Sequence, residues 1–131
     1  MKNILIDASA LIAVIANEPE KAGLVKLVEG FSLIAPRSVY WEIGNAFSAM
    51  LKRGRITLRQ VEKALMAFNG IPVRYVDVDL RESLVVAGRH GIYAYDAYLL
   101  AGAMRYKAPL LTLDRQMVRM AKEMCIDVLE V

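Results

Sequence analysis

The 131-residue sequence contains a single cysteine, Cys125, and a single histidine, His90. One cysteine excludes an intrachain disulfide and a cysteine-based zinc site, and it suits a reducing compartment. One histidine argues against a zinc site built from histidines and against a Ser-His-Asp triad. Any catalytic chemistry in this chain is therefore expected to depend on oxygen-bearing side chains.

Long apolar runs are also missing from the sequence. No stretch approaches the ~20 apolar residues that span a bilayer. The start of the chain is similar to a signal peptide, with Lys2 before apolar residues, but Asp7 interrupts that segment and Glu18-Pro19-Glu20 ends it. We expect a soluble cytoplasmic protein with no membrane contact.

Length and composition favour a single domain that covers residues 1–131. The hydrophobic fraction of 56% and the mean hydropathy of +0.35 are high for a small monomer, so we expect a homodimer. The net charge of +3 is mild. Basic residues nevertheless concentrate in Lys52, Arg53 and Arg55, and again along Arg115, Arg119 and Lys122. These segments favour a polyanionic partner, although solvated helix faces would look the same.

Apolar periodicity predicts strands and helices in alternation. Short apolar strands between helices indicate an α/β protein, a three-layer α/β/α sandwich with a mostly parallel central sheet. The predicted strands are 3–6, 33–35, 73–76, 110–113 and 128–129. Three predicted helices cover 9–16, 20–28 and 115–124. A long helix is capped by Ser38 and ends at Gly54, and the next begins with a Thr57-x-x-Gln60 capping box. Two more are predicted from Asp79 to about His90 and from Tyr93 or Ala94 to before Pro109.

Four acids stand in apolar surroundings, and we interpret them as one site. Asp7 follows the first strand and Asp114 the fourth, so both would project from the carboxyl edge of a parallel sheet, where ligands bind. Glu42 and Asp96 lie on or beside the apolar faces of helices. Taken singly, Asp7 and Asp114 could be helix N-caps. Glu42 and Asp96 could each be stabilised by a helix dipole. Convergence on one pocket explains all four together.

A cluster of carboxylates without histidine or cysteine predicts a hard divalent cation. Burying unpaired carboxylates is costly, and oxygen ligands select Mg²⁺ or Mn²⁺. Four acids could hold one ion or two, and a two-ion arrangement suits phosphodiester hydrolysis. Three nearby polar residues, Ser9, Asn45 and Thr112, could support the acids, although Ser9 and Thr112 could instead cap helices.

The four acid-bearing segments together resemble the PIN-domain ribonucleases, and more narrowly the VapC-type toxins of toxin-antitoxin pairs. The segments are Ile-Asp-Ala-Ser-Ala-Leu at 6–11, Val-Tyr-Trp-Glu-Ile-Gly-Asn-Ala at 39–46, Tyr-Asp-Ala-Tyr-Leu-Leu-Ala at 95–101 and Leu-Leu-Thr-Leu-Asp-Arg at 110–115. They occur in the order found in the family and cover essentially the whole chain.

The resemblance implies an endoribonuclease that depends on Mg²⁺ or Mn²⁺, and a homodimer inhibited by a small antitoxin. It assigns metal binding and catalysis to Asp7, Glu42, Asp96 and Asp114, and supporting roles to Ser9, Asn45 and Thr112. Many relatives carry a further acid soon after the last one, where this chain has Arg115 and Gln116. That departure leaves a second metal ion in question. We expect RNA as the substrate, with Lys52, Arg53 and Arg55 as candidate phosphate contacts.

Other functional classes fit less well or remain as alternatives. A haloacid-dehalogenase-type phosphatase needs a second aspartate where this chain has Ser9, and a receiver domain needs a lysine where it has Arg115. A nontoxic PIN nuclease that acts in RNA processing or decay would share the same chemistry. A noncatalytic PIN-like interaction module usually lacks some of the acids, and all four are present here.

Overall fold

The computed structural model describes residues 2–131 and contains five strands and seven helices in that range. The strands are short and the helices that connect them are longer, as expected for parallel connections. The elements in chain order are β1 (Asn3–Ile6), α1 (Ala8–Ile15), α2 (Lys21–Leu27), β2 (Ser32–Pro36), α3 (Arg37–Lys52), α4 (Leu58–Asn69), β3 (Val73–Val76), α5 (Leu80–His90), α6 (Ala94–Tyr106), β4 (Leu110–Leu111), α7 (Arg115–Glu123) and β5 (Val128–Leu129).

The five strands form one parallel sheet in the order β3-β2-β1-β4-β5. In the register, Leu5 of β1 lies between Ile34 of β2 and Leu110 of β4. The chain runs outward from β1 through β2 to β3, and then returns to the other side of β1 as β4. The strand order therefore reverses between β1 and β4, and the carboxyl ends of those two strands border the crevice where open α/β sheets bind ligands.

Helices cover the sheet as in a three-layer sandwich. On one face of the sheet, α1 contacts both α3 and α4. On the other face, α6 contacts α5 and the strands β1, β2 and β4. The central strand residues Ile4, Leu5 and Ile34 are fully buried. Gly102 lets α6 approach β1 closely, because a Cβ at this position would lie 2.9 Å from a methyl group of Leu5.

The predicted fold class is confirmed, and most predicted elements agree with the structure within one or two residues. The predicted capping box is present, with Thr57 accepting from the amide of Gln60 and the Gln60 side chain accepting in return. The strand predicted at 110–113 is shorter, since pairing stops at Leu111.

One predicted helix boundary is wrong. Ser38 was expected to cap α3, but the helix begins at Arg37 with Pro36 in the N-cap position. Pro36 ends β2 in an extended conformation and leads directly into the helix, so Ser38 falls inside the first turn. Its hydroxyl oxygen is buried and has no hydrogen-bond partner.

None of the helices formed by residues 2–131 combines the length and the apolar character that crossing a bilayer requires.

Candidate active site

Asp7 occupies the carboxyl end of the central strand and is only 5% exposed. Its Oδ1 accepts hydrogen bonds from the hydroxyl of Ser9, at 2.7 Å, and from the amide of Ala10, at 3.0 Å. Its Oδ2 accepts a short hydrogen bond from the hydroxyl of Thr112. The bond from Ala10 caps α1, so the capping role considered for Asp7 is real. These donors fix the carboxylate in one orientation.

Thr112 and Ser9 join the ends of β1 and β4 around Asp7. The hydroxyl oxygen of Ser9 accepts from the amide of Leu113 at 2.9 Å, and that of Thr112 accepts from the amide of Asp114 at 3.0 Å. Each hydroxyl therefore donates to Asp7 and accepts from the loop after β4. In this way the predicted supporting roles of Ser9 and Thr112 have a geometric basis.

Asp114 caps α7, accepting from the amides of Gln116 at 2.9 Å and Met117 at 3.4 Å. These bonds use Oδ1, and the residue is exposed. Capping does not remove Asp114 from the site, because its negative charge raises the pKa of both Asp7 and Asp96. Capping and clustering thus coexist at the ends of β1 and β4.

Glu42 is half-buried on α3, and its Oε2 is buried without a hydrogen-bond partner. Burial raises the pKa of Glu42 to about 7, with further contributions from the negative charges of Asp7 and Asp96. A buried carboxylate oxygen that lacks a donor is costly, and no group within residues 2–131 donates to this one.

Asp96 lies in the first turn of α6, on the other side of the sheet from α3. It is half-buried, and burial raises its pKa, with a further contribution from Asp114. Burial also raises the pKa of Asp7; the hydrogen bonds from Thr112, Ser9 and Ala10 oppose that effect only in part. Ionisation is therefore disfavoured at all three of Asp7, Glu42 and Asp96.

Within residues 2–131 the four acids interact with one another, and none of them forms an ion pair with a basic side chain. The negative charge of Asp114 raises the pKa of Asp7 and of Asp96. The charges of Asp7 and Asp96 in turn raise the pKa of Glu42, which links the four acids into one electrostatic group. Within residues 2–131 the recorded ion pair joins Lys122 to Glu130, elsewhere on the surface. The structure thus brings the four predicted acids to one edge of the sheet without a protein cation.

The donor set fits a hard divalent cation. Carboxylate oxygens are the ligands that Mg²⁺ and Mn²⁺ prefer, and the unpartnered Oε2 of Glu42 is an oxygen available for such an ion. In the described part of the chain, no three Asp, Glu, His or Cys side chains are close enough together to hold one ion as they stand.

The other predicted site residues, Asn45 and the basic segment that begins at Lys52, are exposed on α3 or in the turn that follows it. Asn45 is exposed on α3, and its carbonyl oxygen accepts from the hydroxyl of Ser48. Lys52 ends α3, about 15 Å from Glu42 along the helix axis at ~1.5 Å per residue. Arg53 and Arg55 follow it in an exposed turn. The structure therefore does not bring this basic segment to the acids.

Sequence reasoning missed two polar residues that the structure leaves without partners, Ser38 and Glu20. The hydroxyl of Ser38 and Oε2 of Glu20 are buried and unpartnered. Ser38 precedes Glu42 by one helical turn, so a helical periodicity argument could have assigned it to the acid-bearing face. No local pattern marks Glu20, whose surroundings depend on the packing of distant segments.

Comparisons with known proteins agree with the fold. A family model described as the PIN domain matches residues 4–123. The crystal structure of PAE2754 from Pyrobaculum aerophilum superposes with a TM-score of 0.72 at 27% identity, covering 91% of this chain and 79% of that one. A search of curated proteins gave no match.

Two further solved structures share the fold at lower identity. VapBC2 from Rickettsia felis, bound to a DNA fragment from their promoter, has a TM-score of 0.65 at 14% identity and covers 98% of this chain and 97% of its own. A domain of a functionally unknown protein from Methanocaldococcus jannaschii has a TM-score of 0.53 at 23% identity, covering 100% of this chain and 93% of its own.

Proposed function

The chain belongs to the PIN-domain family, whose members are typically nucleases, and from that premise we propose that it is a metal-dependent endoribonuclease and the toxin of a type II toxin-antitoxin pair. The observation that carries the proposal is that, within residues 2–131, Oε2 of Glu42 has no hydrogen-bond partner and the group of four acids has no paired cation. The group lies where the strand order reverses, beside β1 and β4.

Asp7 and Asp96 are the principal metal ligands in this proposal, and Glu42 and Asp114 complete the set. A bound Mg²⁺ or Mn²⁺ lowers the pKa of water and offsets negative charge on a phosphodiester. Either one ion or two would fit the number of carboxylates. The chain's own contribution is to supply carboxylates that have no competing cation within residues 2–131.

The hydroxyls of Ser9 and Thr112 orient the site. Each donates to one oxygen of Asp7, which restricts the orientation of that carboxylate; with the amide of Ala10 also bound to Oδ1, one lone pair on Oδ2 is left for a cation. Groups that orient a metal ligand in this way typically affect metal affinity or activity by about 10- to 100-fold. Asp114 is oriented separately by the first turn of α7.

RNA is the proposed substrate because a group of carboxylates suits metal-assisted phosphodiester hydrolysis and because two exposed aromatic residues are adjacent in sequence to two of the acids. Trp41 precedes Glu42 and is 67% exposed, while Tyr95 precedes Asp96 and is 55% exposed. Exposed rings can stack on unpaired bases. Cleavage of phosphodiesters in single-stranded RNA is therefore the activity that these residues support best.

The toxin assignment rests on the similarity in fold to VapBC2 from Rickettsia felis. A small antitoxin and a second copy of the chain are the proposed partners. Exposed apolar side chains on α4 and α5, including Leu58, Met66 and Leu80, provide surface for such contacts. The unpaired Cys125 is compatible with the cytoplasm, where these partners would be made.

The proposal is tested by incubating the purified protein with a mixture of labelled RNAs, first with EDTA and then with Mg²⁺ or Mn²⁺ in excess of the chelator. We expect cleavage only when the metal is present. Cleavage that persists at full rate after exhaustive chelation would contradict metal dependence. Cleavage of DNA but not RNA would contradict the substrate class.

The toxin role needs its own experiment. Induced expression of the parent chain should arrest growth, and an Asp96→Asn chain expressed at the same level should not. A neighbouring short gene whose product binds the chain and restores growth would support the antitoxin. Metal-dependent RNA cleavage without growth arrest would favour the alternative of a nontoxic PIN nuclease.

A further inference from the structure

A groove of about 550 Å³ lies between α5 and α6 and is lined by residues of both helices. A three-residue connection, 91–93, joins the two helices, which pack against each other as antiparallel neighbours. On α5 the lining extends from Arg81 to Arg89, about 12 Å along the helix axis at ~1.5 Å per residue. The groove is therefore long enough to hold a short stretch of an extended polymer.

Three exposed arginines line the groove, Arg81 and Arg89 on α5 and Arg105 on α6. Within residues 2–131 none of the three forms an ion pair, and the guanidinium of Arg105 contacts only a ring, that of Tyr106, at 5.7 Å from the ring centroid. Glu82 is the one acid of the described lining, so three arginines less one glutamate leave a formal charge of +2. The groove therefore suits a ligand that carries several negative charges.

Apolar side chains line the same groove and are accessible to a ligand. Val85 on α5 is 39% exposed, and Met104 on α6 is 52% exposed. Exposed apolar side chains beside fixed positive charges match a ligand in which charged groups alternate with apolar surfaces. Single-stranded RNA is such a ligand, because its phosphates alternate with bases whose faces are not covered by a second strand.

One end of the groove lies at the connection between the two helices, close in the chain to an acid of the candidate active site. Arg89 lies in the last turn of α5, Tyr93 is the N-cap of α6, and Asp96 follows in the first turn of α6. Tyr93 is 88% exposed, so its ring is available to stack on a base. A basic groove that ends at an exposed ring is typical of surfaces that bind single-stranded RNA, whereas an acidic polypeptide would need only the charges.

We propose that the groove between α5 and α6 binds single-stranded RNA on one side of the cleaved bond, with the three arginines contacting phosphates and Tyr93 stacking on a base. The proposal rests on the proposed ribonuclease function and adds how the substrate is held. Phosphate contacts and stacking do not depend on which base is present. The groove therefore contributes affinity for unpaired RNA of any sequence.

The first test measures binding in EDTA, where no metal-dependent cleavage occurs. The probe is a fluorescent 12-nucleotide oligouridine RNA, titrated by anisotropy at several salt concentrations. Arg89→Ala should weaken binding roughly 3- to 10-fold and reduce the salt dependence by about one phosphate contact, a slope of roughly 0.7. Arg59→Ala removes the same charge from the exposed surface of α4 and should bind like the parent. Equal weakening by both variants would overturn the proposal, because net charge alone would then explain it.

Two further pairs of variants test the ring and the acid. Tyr93→Ser removes the ring while keeping a good N-cap for α6, and should weaken binding by roughly 5-fold or more; Tyr93→Phe keeps the ring and should bind like the parent. Glu82→Gln removes the negative charge from the groove and should tighten binding a few-fold, whereas Glu62→Gln on the exposed surface of α4 should not. Parent affinity in both Tyr93→Ser and Glu82→Gln would contradict the proposed location.

Photocross-linking locates the RNA directly. With 4-thiouridine in the probe, the cross-linked peptides should come from 80–106, and cross-links confined to α3 or α4 would overturn the proposal. A polyglutamate peptide that binds as tightly as the RNA, and that Arg89→Ala weakens, would contradict the choice of RNA. RNA binding that depends on the groove without metal-dependent cleavage would contradict the ribonuclease proposal alone. Cleavage by a parent whose RNA binding ignores the groove variants would contradict only the present inference.

Discussion

Thr112 donates its hydroxyl hydrogen to Oδ2 of Asp7, a residue 105 positions away in the sequence. The same hydroxyl oxygen accepts from the amide of Asp114 at 3.0 Å. One side chain therefore links the carboxyl ends of β1 and β4, orienting the carboxylate of Asp7 and fixing the backbone at Asp114. Because Thr112 is only 4% exposed, water cannot readily replace these bonds.

Replacing Thr112 with valine keeps the shape of the side chain and removes both hydrogen bonds. Oδ2 of Asp7 then loses a partner in a buried setting, and the amide of Asp114 loses one in a partly buried setting, so we expect the free energy of unfolding to fall by about 1–3 kcal/mol. Metal-dependent cleavage should fall by roughly 10- to 100-fold. Urea unfolding and single-turnover cleavage measure the two effects.

Thr112→Ser is the matched control, since it retains the hydroxyl and should preserve most of the cleavage rate. If the valine variant cleaves RNA as fast as the serine variant, then the hydroxyl does not position Asp7 for catalysis.

Glu42 gives the metal-free protein an unusual dependence on pH. Its pKa is about 7 in the folded state, above its ordinary value of 4.5, because burial and the charges of Asp7 and Asp96 disfavour ionisation. The folded state therefore binds the proton more tightly than the unfolded state. The stabilisation is fully present below pH 4.5 and is lost as the pH rises to about 7.

In EDTA, the free energy of unfolding should consequently be lower at pH 8 than at pH 5, by on the order of 1 kcal/mol, since partial exposure of Glu42 moderates the effect. The pKa values of Asp7 and Asp96 are raised as well and act in the same direction. Urea unfolding across this pH range provides the measurement. Stability that increases steadily from pH 5 to pH 8 would contradict the account.

Glu42→Gln separates the stability of the fold from function. The neutral amide avoids burying a charge, so at pH 8 the metal-free variant should be more stable than the parent by about 1 kcal/mol. Metal-dependent cleavage should nevertheless be lost or fall by at least about 100-fold, because a metal ligand is missing. Glu62→Gln, on the exposed face of α4, should change neither property.

Divalent metal should stabilise the parent protein. A ligand that binds only the folded state at ~100 times its dissociation constant adds about 2.7 kcal/mol, which corresponds to a rise in melting temperature of roughly 5–10 °C for a domain of this size. Mn²⁺ titrations followed by thermal unfolding measure this rise. An unchanged melting temperature at saturating Mn²⁺ would count against a shared site.

The fold and the acid positions could be predicted because they depend on local patterns. Asp7 follows an apolar strand and Asp114 follows another, and parallel connectivity alone brings the ends of such strands to one edge. The lengths of β4 and α3 were less predictable. Pairing of β4 ends at Leu111, which lies opposite Ile6 of β1 and Leu129 of β5 in the register.

Features that depend on packing between distant segments were not predictable. Glu20 and Arg119 are far apart in sequence and line one cleft only because the fold brings α7 close to the start of α2. The basic segment that begins at Lys52 was predicted to contact phosphate from its composition alone. Its distance from Glu42 along α3 became apparent only from the course of the helix.

The most direct test of the central claim, that the four carboxylates form one metal site for RNA cleavage, is the single-turnover cleavage rate of three aspartate variants in Mn²⁺. Asp7→Asn and Asp96→Asn should each reduce the rate by at least about 100-fold. Asp127→Asn alters an exposed aspartate that lies away from the acids, beside Lys2 and Asn3, and should retain the parent rate. Cleavage at the parent rate by the Asp7 and Asp96 variants would contradict the account.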